Sequence, residues 1–140
     1  MKPGGQRIKG RAFEQKIAKL LRERWPGSDV HRSSQADRAR DADVVIKGGP
    51  TEAAKLWLEL NDARKPDPIN KLEQAERDIA REEVMRWPVV VWHKIGERSI
   101  QVTTRLHVLA RLMHGGGTIC GGATVTMPLD NFLGLVERAS

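Results

Sequence analysis

The sequence predicts an α/β fold in which helices flank a central β-sheet, and three patterns predict it. Leucines occupy every second position of 55–61, which is the period of a strand with one buried face. The β-branched run 44–46 is typical of a neighbouring strand. Apolar residues recur at helical spacing in 11–24 and again in 68–86, so each stretch is expected to form an amphipathic helix.

Size and charge narrow the class of protein. The 140 residues are 30% charged and 39% hydrophobic, which is normal for a folded globular chain and predicts a single domain over 1–140. The formal net charge of +6 favours a polyanionic partner, nucleic acid before membrane. A basic surface without such a partner is the alternative.

Targeting and redox features predict a cytoplasmic protein with no membrane partner. No apolar run is long enough to span a membrane, and residues 1–5 lack the apolar core of a signal peptide. The lone Cys120 cannot form a disulfide within the chain, so a reducing compartment is expected. Because Cys120 has no Cys or His companion at ligand spacing, we expect it to be incidental to the chemistry.

The N-terminal helix carries a first candidate carboxylate. The chain is expected to begin with a mobile basic arm over 1–10, followed by the helix 11–24, which Trp25-Pro26-Gly27 ends. Glu14 borders the apolar stripe of this helix, and a half-buried carboxylate needs a partner. The alternative is an exposed glutamate near the first turn, where the helix dipole favours negative charge.

Asp43 and Glu59 are the candidate site residues on the predicted strands. Asp43 opens a strand over 42–46, and a glycine-rich turn separates it from the strand over 55–61. If the two strands pair as a hairpin, both carboxylates converge at one end of the sheet. Carboxylates held that close repel unless a divalent cation lies between them, and their hard oxygens suit Mg²⁺ or Mn²⁺.

Local patterns predict the next elements. A short strand is expected at 29–33. Asp67 and Pro68 form a helix start, because a capping carboxylate precedes proline at the first helical position. The run 89–93, three valines followed by Trp92 and His93, predicts a central strand, and 99–103 predicts the strand that follows it.

In the C-terminal part, 104–140, one pattern occurs twice: a strand, a Thr or Pro boundary, and a short amphipathic helix. The sequence leaves open whether 104–113 forms a helix or a second long strand. The glycine-rich 114–118 lacks the Lys-Ser or Lys-Thr of a P-loop, so we interpret it as a flexible linker.

Four short motifs follow one another in the order of a known family. They are 10–14 on the first helix, Ala42-Asp43 on a strand, Glu59-x-Asn61 on the next strand, and Gln74-Ala75 on the second helix. Together they resemble the PD-(D/E)XK nuclease superfamily, and within it the small Holliday junction resolvases of phages and archaea, over residues 8–92.

The resemblance implies a restriction-endonuclease-like fold, with a mixed central sheet flanked by helices. It also implies a metal-dependent endodeoxyribonuclease that resolves four-way DNA junctions in recombination. The implied cofactor is Mg²⁺ or Mn²⁺, held by Asp43 and Glu59, with Glu14 as a further ligand that acts directly or through water. Gln74 would approach the site from the second helix.

The family's lysine falls on Asn61, where this sequence departs from the pattern. An amide can donate a hydrogen bond but carries no positive charge. Three explanations are open: Arg64, Lys65 or Lys71 substitutes for the lysine, the chain is an engineered inactive form, or the protein binds DNA without cutting it. The substitution Asn61→Lys is predicted to raise the cleavage rate.

Phosphate contacts are expected to dominate DNA binding, because they give shape-directed and salt-sensitive affinity without reading bases. Six basic residues would surround the acidic site: Arg32, Arg38, Arg40, Arg64, Lys65 and Lys71. Two symmetric cuts in a junction need two sites, which predicts a homodimer. Trp87 and Trp92 belong either to that interface or to the core. A nicking or restriction-like nuclease on the same fold is the alternative enzyme.

Overall fold

The computed structural model describes residues 3–33, 43–83, 85–114 and 122–140. Four helices and six strands follow one another along the chain. They are α1 (Pro3–Arg24), β1 (Ser28–Arg32), β2 (Val44–Gly48), β3 (Leu56–Ala63), α2 (Pro68–Glu82), β4 (Trp87–Lys94), β5 (Ile100–Arg105), α3 (Leu106–His114), β6 (Thr124–Pro128) and α4 (Leu129–Ala139). A single 3₁₀ turn, Ala53–Lys55, precedes β3.

The six strands form one mixed sheet in which strand order follows chain order. β3 and β4 are parallel, and every other neighbouring pair is antiparallel. Two parallel neighbours require a crossover connection, and α2 provides it. The α/β fold with a mixed central sheet flanked by helices is therefore confirmed, and so are the β2–β3 hairpin and the interior position of β4.

Helices cover both faces of the sheet. On one face, α1, α3 and α4 enclose the main core, to which β3 contributes its three alternating leucines, Leu56, Leu58 and Leu60. On the other face, Trp57 of β3 packs against Ala75 of α2. The predicted alternation of β3 is confirmed, because its odd-numbered side chains point toward α2 and its even-numbered side chains toward the main core.

Two glycines make the turn between β2 and β3 possible. Gly48 and Gly49 have φ angles of +75° and +70°, a backbone conformation that residues other than glycine adopt only with strain. A Cβ atom on Gly49 would also lie 2.9 Å from the Cβ atom of Ser28. The turn therefore requires glycine at position 49 for both conformation and space.

Helix α2 begins as predicted and ends earlier than predicted. Asp67 caps it by accepting a hydrogen bond from the Asn70 backbone N–H at 3.1 Å, and Pro68 takes the first helical position. The helix was expected to reach residue 86, but Glu83 adopts a left-handed conformation with φ of 54° and closes it.

The ends of the chain complete the comparison with expectation. The predicted helix start at Arg11 is wrong, because α1 begins at Pro3: residues 6–9 continue the helix despite the two glycines before them. The repeated strand–helix pattern is confirmed as β5–α3 and β6–α4, and α3 resolves the open choice at 104–113 in favour of a helix. The predicted linker at 114–118 and Cys120 lie almost wholly outside the described residues. In the described part of the chain, no helix is both long and apolar enough to span a bilayer.

Candidate active site

Asp43 is bonded to β3 through both its backbone and its side chain. Its N–H donates to the Leu58 carbonyl at 3.0 Å, and its Oδ2 accepts from the Leu60 N–H at 3.0 Å. The carboxylate thus occupies the position at which a β2 residue would continue the ladder with Leu60. These contacts hold the Asp43 side chain against the middle of β3.

Glu59 meets Asp43 at this place. The partly buried Glu59 side chain accepts a hydrogen bond from the Trp57 indole N–H at 2.9 Å. Burial, and then the neighbouring charge of Asp43, raise the pKa of Glu59 to about 8, against smaller opposing effects of Trp57 and Lys71. The predicted convergence of the two carboxyl groups is observed.

The raised pKa defines the chemical state of the carboxylate pair, by which we mean Asp43 and Glu59. A pKa of about 8 favours the protonated form of Glu59 near neutral pH, and the Glu59 carboxyl is hydrogen-bonded to Asp43. When both carboxyl groups of such a pair are ionised, their closely spaced hard oxygens carry two negative charges that repel each other. Such a pair can exchange its proton for a cation.

Asn61 has a structural partner. Its Oδ1 accepts a hydrogen bond from the Asp67 backbone N–H at 3.0 Å, and Asp67 in turn caps α2. The side chain at the family's lysine position therefore shapes the connection between β3 and α2.

Glu14 lies in a different pair. Its side chain, 11% exposed, accepts from the Arg32 Nε–H at 3.0 Å. Glu14 belongs to α1, which covers the leucine face of β3, whereas Glu59 points to the opposite face. Within the described residues no three His, Cys, Asp or Glu side chains form a group that could hold a metal ion, so the structure does not unite Glu14 with the carboxylate pair.

Gln74 does not approach the pair either. It is exposed on α2 and has no hydrogen bond to the described residues. The reason is helical geometry: α2 turns Leu72 and Ala75 toward the sheet, which directs the intervening position 74 outward.

The basic residues expected to surround the site divide into three groups. Arg64 and Lys65 are exposed on the connection between β3 and α2, and half-buried Lys71 lies close enough to favour the charged form of Glu59. Arg32 is engaged by Glu14. Arg38 and Arg40 lie outside the described residues.

The sequence allows Trp87 and Trp92 either in the core or at a dimer interface. Trp87 packs partly against the main core, with the Arg111 guanidinium 4.7 Å from its ring centroid. The half-buried Trp92 donates its indole N–H to Thr103 Oγ1 at 2.9 Å. Each therefore has partners within the chain.

Sequence reasoning missed two residues that contact carboxylates of β3, Trp57 on β3 itself and His93 on β4. Trp57 holds Glu59, and the same period-2 pattern that placed Glu59 could have found it. His93 was missed because its partners depend on the parallel register of β3 and β4. Its Nδ1 contacts Asp62 Oδ1 at 2.8 Å, and its Nε2 contacts the Glu97 carbonyl.

The geometry of His93 determines its protonation. Both partners only accept hydrogen bonds, which favours the doubly protonated ring, and the Asp62 carboxylate, followed by the Glu97 carbonyl, raises the pKa of His93. The ring stacks on Phe13 of α1, with centroids 6.2 Å apart. The His93 contacts therefore lie on the α1 side of the sheet and the carboxylate pair on the α2 side.

The chain matches no protein-family model, no curated protein and no solved structure. A functional assignment therefore depends on the geometry and the chemistry of the residues described above.

Proposed function

We propose that the protein is a metal-dependent endodeoxyribonuclease of the PD-(D/E)XK type that cleaves four-way DNA junctions. The observation that carries the proposal is the contact between Asp43 and Glu59, two carboxyl groups from adjacent strands that meet where burial makes their joint ionisation unfavourable. Strongly perturbed carboxyl groups of this kind are concentrated at functional sites. The mixed sheet with helices on both faces is compatible with a restriction-endonuclease-like fold.

The residues present fit a Mg²⁺ or Mn²⁺ ion. Mg²⁺ is commonly held by one or two carboxylates, while waters and substrate phosphates complete its shell. Asp43 and Glu59 supply those two carboxylates, and their mutual repulsion gives the pair a reason to accept a divalent cation. When bound, such an ion lowers the pKa of a coordinated water and offsets charge on the phosphate.

The chain's own side chains orient the pair and the substrate. The Trp57 indole N–H holds Glu59, and the Leu60 backbone N–H holds Asp43, so both carboxylates are positioned before substrate arrives. Arg64 and Lys65, exposed on the connection between β3 and α2, are the cations that would bind backbone phosphates. The net charge of +6 favours the approach of a polyanion.

The junction substrate sets the expected assembly and location. Two symmetric incisions require two copies of the site related by a two-fold axis, so the working form is a homodimer. Its DNA substrate belongs to the cytoplasm of a bacterium or of a phage-infected cell.

The test is cleavage of a synthetic four-way junction with Mg²⁺ or Mn²⁺ under single-turnover conditions. Asp43→Asn and Glu59→Gln keep the size of each side chain and are expected to lower the rate by about 100-fold or more. Asp29→Asn is the control, because that carboxylate is 71% exposed on β1. Linear duplex serves as the competitor, since a resolvase must prefer the branched substrate. Cleavage that survives both substitutions would overturn the assignment.

One observation favours a second candidate, a branched-DNA-binding protein that does not cut. The family's lysine position holds Asn61, a neutral side chain that accepts a hydrogen bond from the Asp67 backbone N–H and supplies no positive charge. This candidate predicts junction binding of equal strength with Mg²⁺ and with a chelator, and no nicked product in either case. A nicking or restriction-like enzyme would instead cut linear duplex as readily as the junction.

A further inference from the structure

We propose that Lys71 of α2 supplies to the carboxylate pair the positive charge that position 61 lacks, and that its ammonium contacts the phosphate to be cleaved. This inference rests on the proposed nuclease function. The catalytic positive charge then comes from α2, whereas the sequence motif would place it at position 61 of β3.

The first support is the arrangement of α2 over β3. Ala75 of α2 packs against Trp57, and Lys71 lies four residues earlier in the helix, on the same side and displaced by about 6 Å. Glu59 lies two residues beyond Trp57 on the same face of β3, displaced by about 6.6 Å. Because the helix of a β–α–β crossover runs opposite to its strands, the two displacements have the same direction. Lys71 therefore stands over Glu59.

The second support is that the Lys71 ammonium is not engaged elsewhere in the described part of the chain. Lys71 forms no salt bridge with the described residues, and its half-buried position limits screening by water. Its backbone is anchored, since the Lys71 N–H donates to the Asp67 carbonyl at 3.2 Å.

The alternatives fit less well. Arg64 and Lys65 are exposed on the connection before α2, where they suit phosphates at a distance from the carboxylate pair. Asn61 is neutral, and its carbonyl oxygen already accepts the Asp67 N–H. Among these four side chains, only Lys71 combines a positive charge with a position beside Glu59.

The chemistry gives such an ammonium a defined task. In phosphodiester hydrolysis a water oxygen bonds to phosphorus while the bond to the leaving oxygen breaks. One water is consumed, the leaving oxygen takes up a proton from solvent, and the attacking water releases a proton to solvent. Lys71 transfers no proton in this step, and its positive charge stabilises the negative charge that grows on the phosphate oxygens.

The experiment removes the Lys71 charge and then restores it. Lys71→Gln and Lys71→Cys are expected to cleave a four-way junction about 100-fold more slowly than wild type in single turnover, while junction affinity changes by less than about fivefold. Alkylation of the Lys71→Cys variant with 2-bromoethylamine rebuilds a lysine-like ammonium and should recover at least about tenfold in rate. Lys19→Gln is the matched control, because that side chain is 75% exposed on α1. Wild type treated with the same reagent controls for reaction at Cys120.

A second readout needs neither DNA nor metal. Carboxyl ¹³C NMR of the metal-free protein follows the titration of Glu59, whose pKa should rise further in Lys71→Gln and not in Lys19→Gln. If wild type cleaves and Lys71→Gln cleaves equally well, or the Glu59 titration does not move, or alkylation restores nothing, the role of Lys71 is overturned while the nuclease proposal stands. If wild type does not cleave at all, both proposals fail.

Discussion

The carboxylate pair predicts an unusual dependence of stability on pH in the metal-free protein. The pKa of Glu59 is about 8 in the folded chain against an ordinary 4.5. The folded state therefore binds a proton that the unfolded state has released, and this contribution is complete below pH 4.5 and lost as pH rises through 8. The difference corresponds to at most about 5 kcal/mol across that window.

Glu59→Gln isolates the effect. The amide keeps the size of the side chain and an acceptor for the Trp57 indole, and its NH₂ group can donate to Asp43 in place of the carboxyl proton. We expect Glu59→Gln to be less stable than wild type by no more than about 1 kcal/mol at low pH and more stable than wild type by several kcal/mol at about pH 9. Urea unfolding in the presence of a chelator, at a series of pH values, measures both differences.

The control and the contrary result are specific. Glu23→Gln changes a carboxylate that is 69% exposed on α1 and should follow the wild-type curve at every pH. His93 titrates in an overlapping window, but its contribution is common to all three proteins and cancels in the comparison. If the stability of wild type and of Glu59→Gln changed with pH in parallel above pH 5, repulsion between Asp43 and Glu59 would be refuted. A divalent cation at 100 times its dissociation constant should add about 2.7 kcal/mol to the stability of wild type and of Glu23→Gln, and should add less to Glu59→Gln.

Three further outcomes test neighbouring contacts. His93→Gln should lower the free energy of unfolding by about 1 to 3 kcal/mol at about pH 6, and by less once pH exceeds the raised pKa of His93. Equal losses in urea titrations below and above that pKa would show that a charged His93 does not stabilise the fold. Glu137→Ala removes the carboxylate that accepts hydrogen bonds from Arg24 at 2.8 and 3.0 Å and from the Trp25 indole at 2.7 Å. Because solvent screens this partly exposed pair, the free energy of unfolding should fall by only about 1 kcal/mol, and by less in acid, since the pKa of Glu137 is lowered in the folded state. A melting temperature that does not change would contradict this expectation. Asn61→Lys should raise the junction-cleavage rate while costing about 1 kcal/mol of stability, since the Asp67 N–H loses its acceptor; an unchanged or lower rate removes the proposed role of position 61.

The parts of the fold that sequence predicted are those that local rules determine. The alternation over 55–61 placed Glu59 and the leucines of β3 on their correct faces, and Asp67 before Pro68 located the start of α2. The strand–helix pattern of the C-terminal part also follows from short-range periodicity. These features depend on neighbours within a few residues, so a single sequence contains the information they need.

The parts that sequence missed depend on contacts between distant elements. Whether Glu14 faces a metal or Arg32 is set by how α1 packs on the sheet, and no spacing within α1 encodes that choice. The pairing of Asp62 with His93 requires the parallel register of β3 and β4. The sequence places Asn61 at the family's lysine position, but its use as an acceptor for the Asp67 backbone depends on the path of the connection to α2.

The carboxylate pair itself is the strongest argument for a function at this place. A partly buried glutamate beside an aspartate destabilises the fold wherever both are ionised, and two amides of the same size could accept the same hydrogen bonds from Leu60 and Trp57 without that cost. The surrounding groups nevertheless hold the two carboxyls together, since the Leu60 N–H binds Asp43 and the Trp57 indole binds Glu59. Proteins commonly break local rules in this way at functional sites, and the proposed cation would turn the repulsion of this pair into attraction.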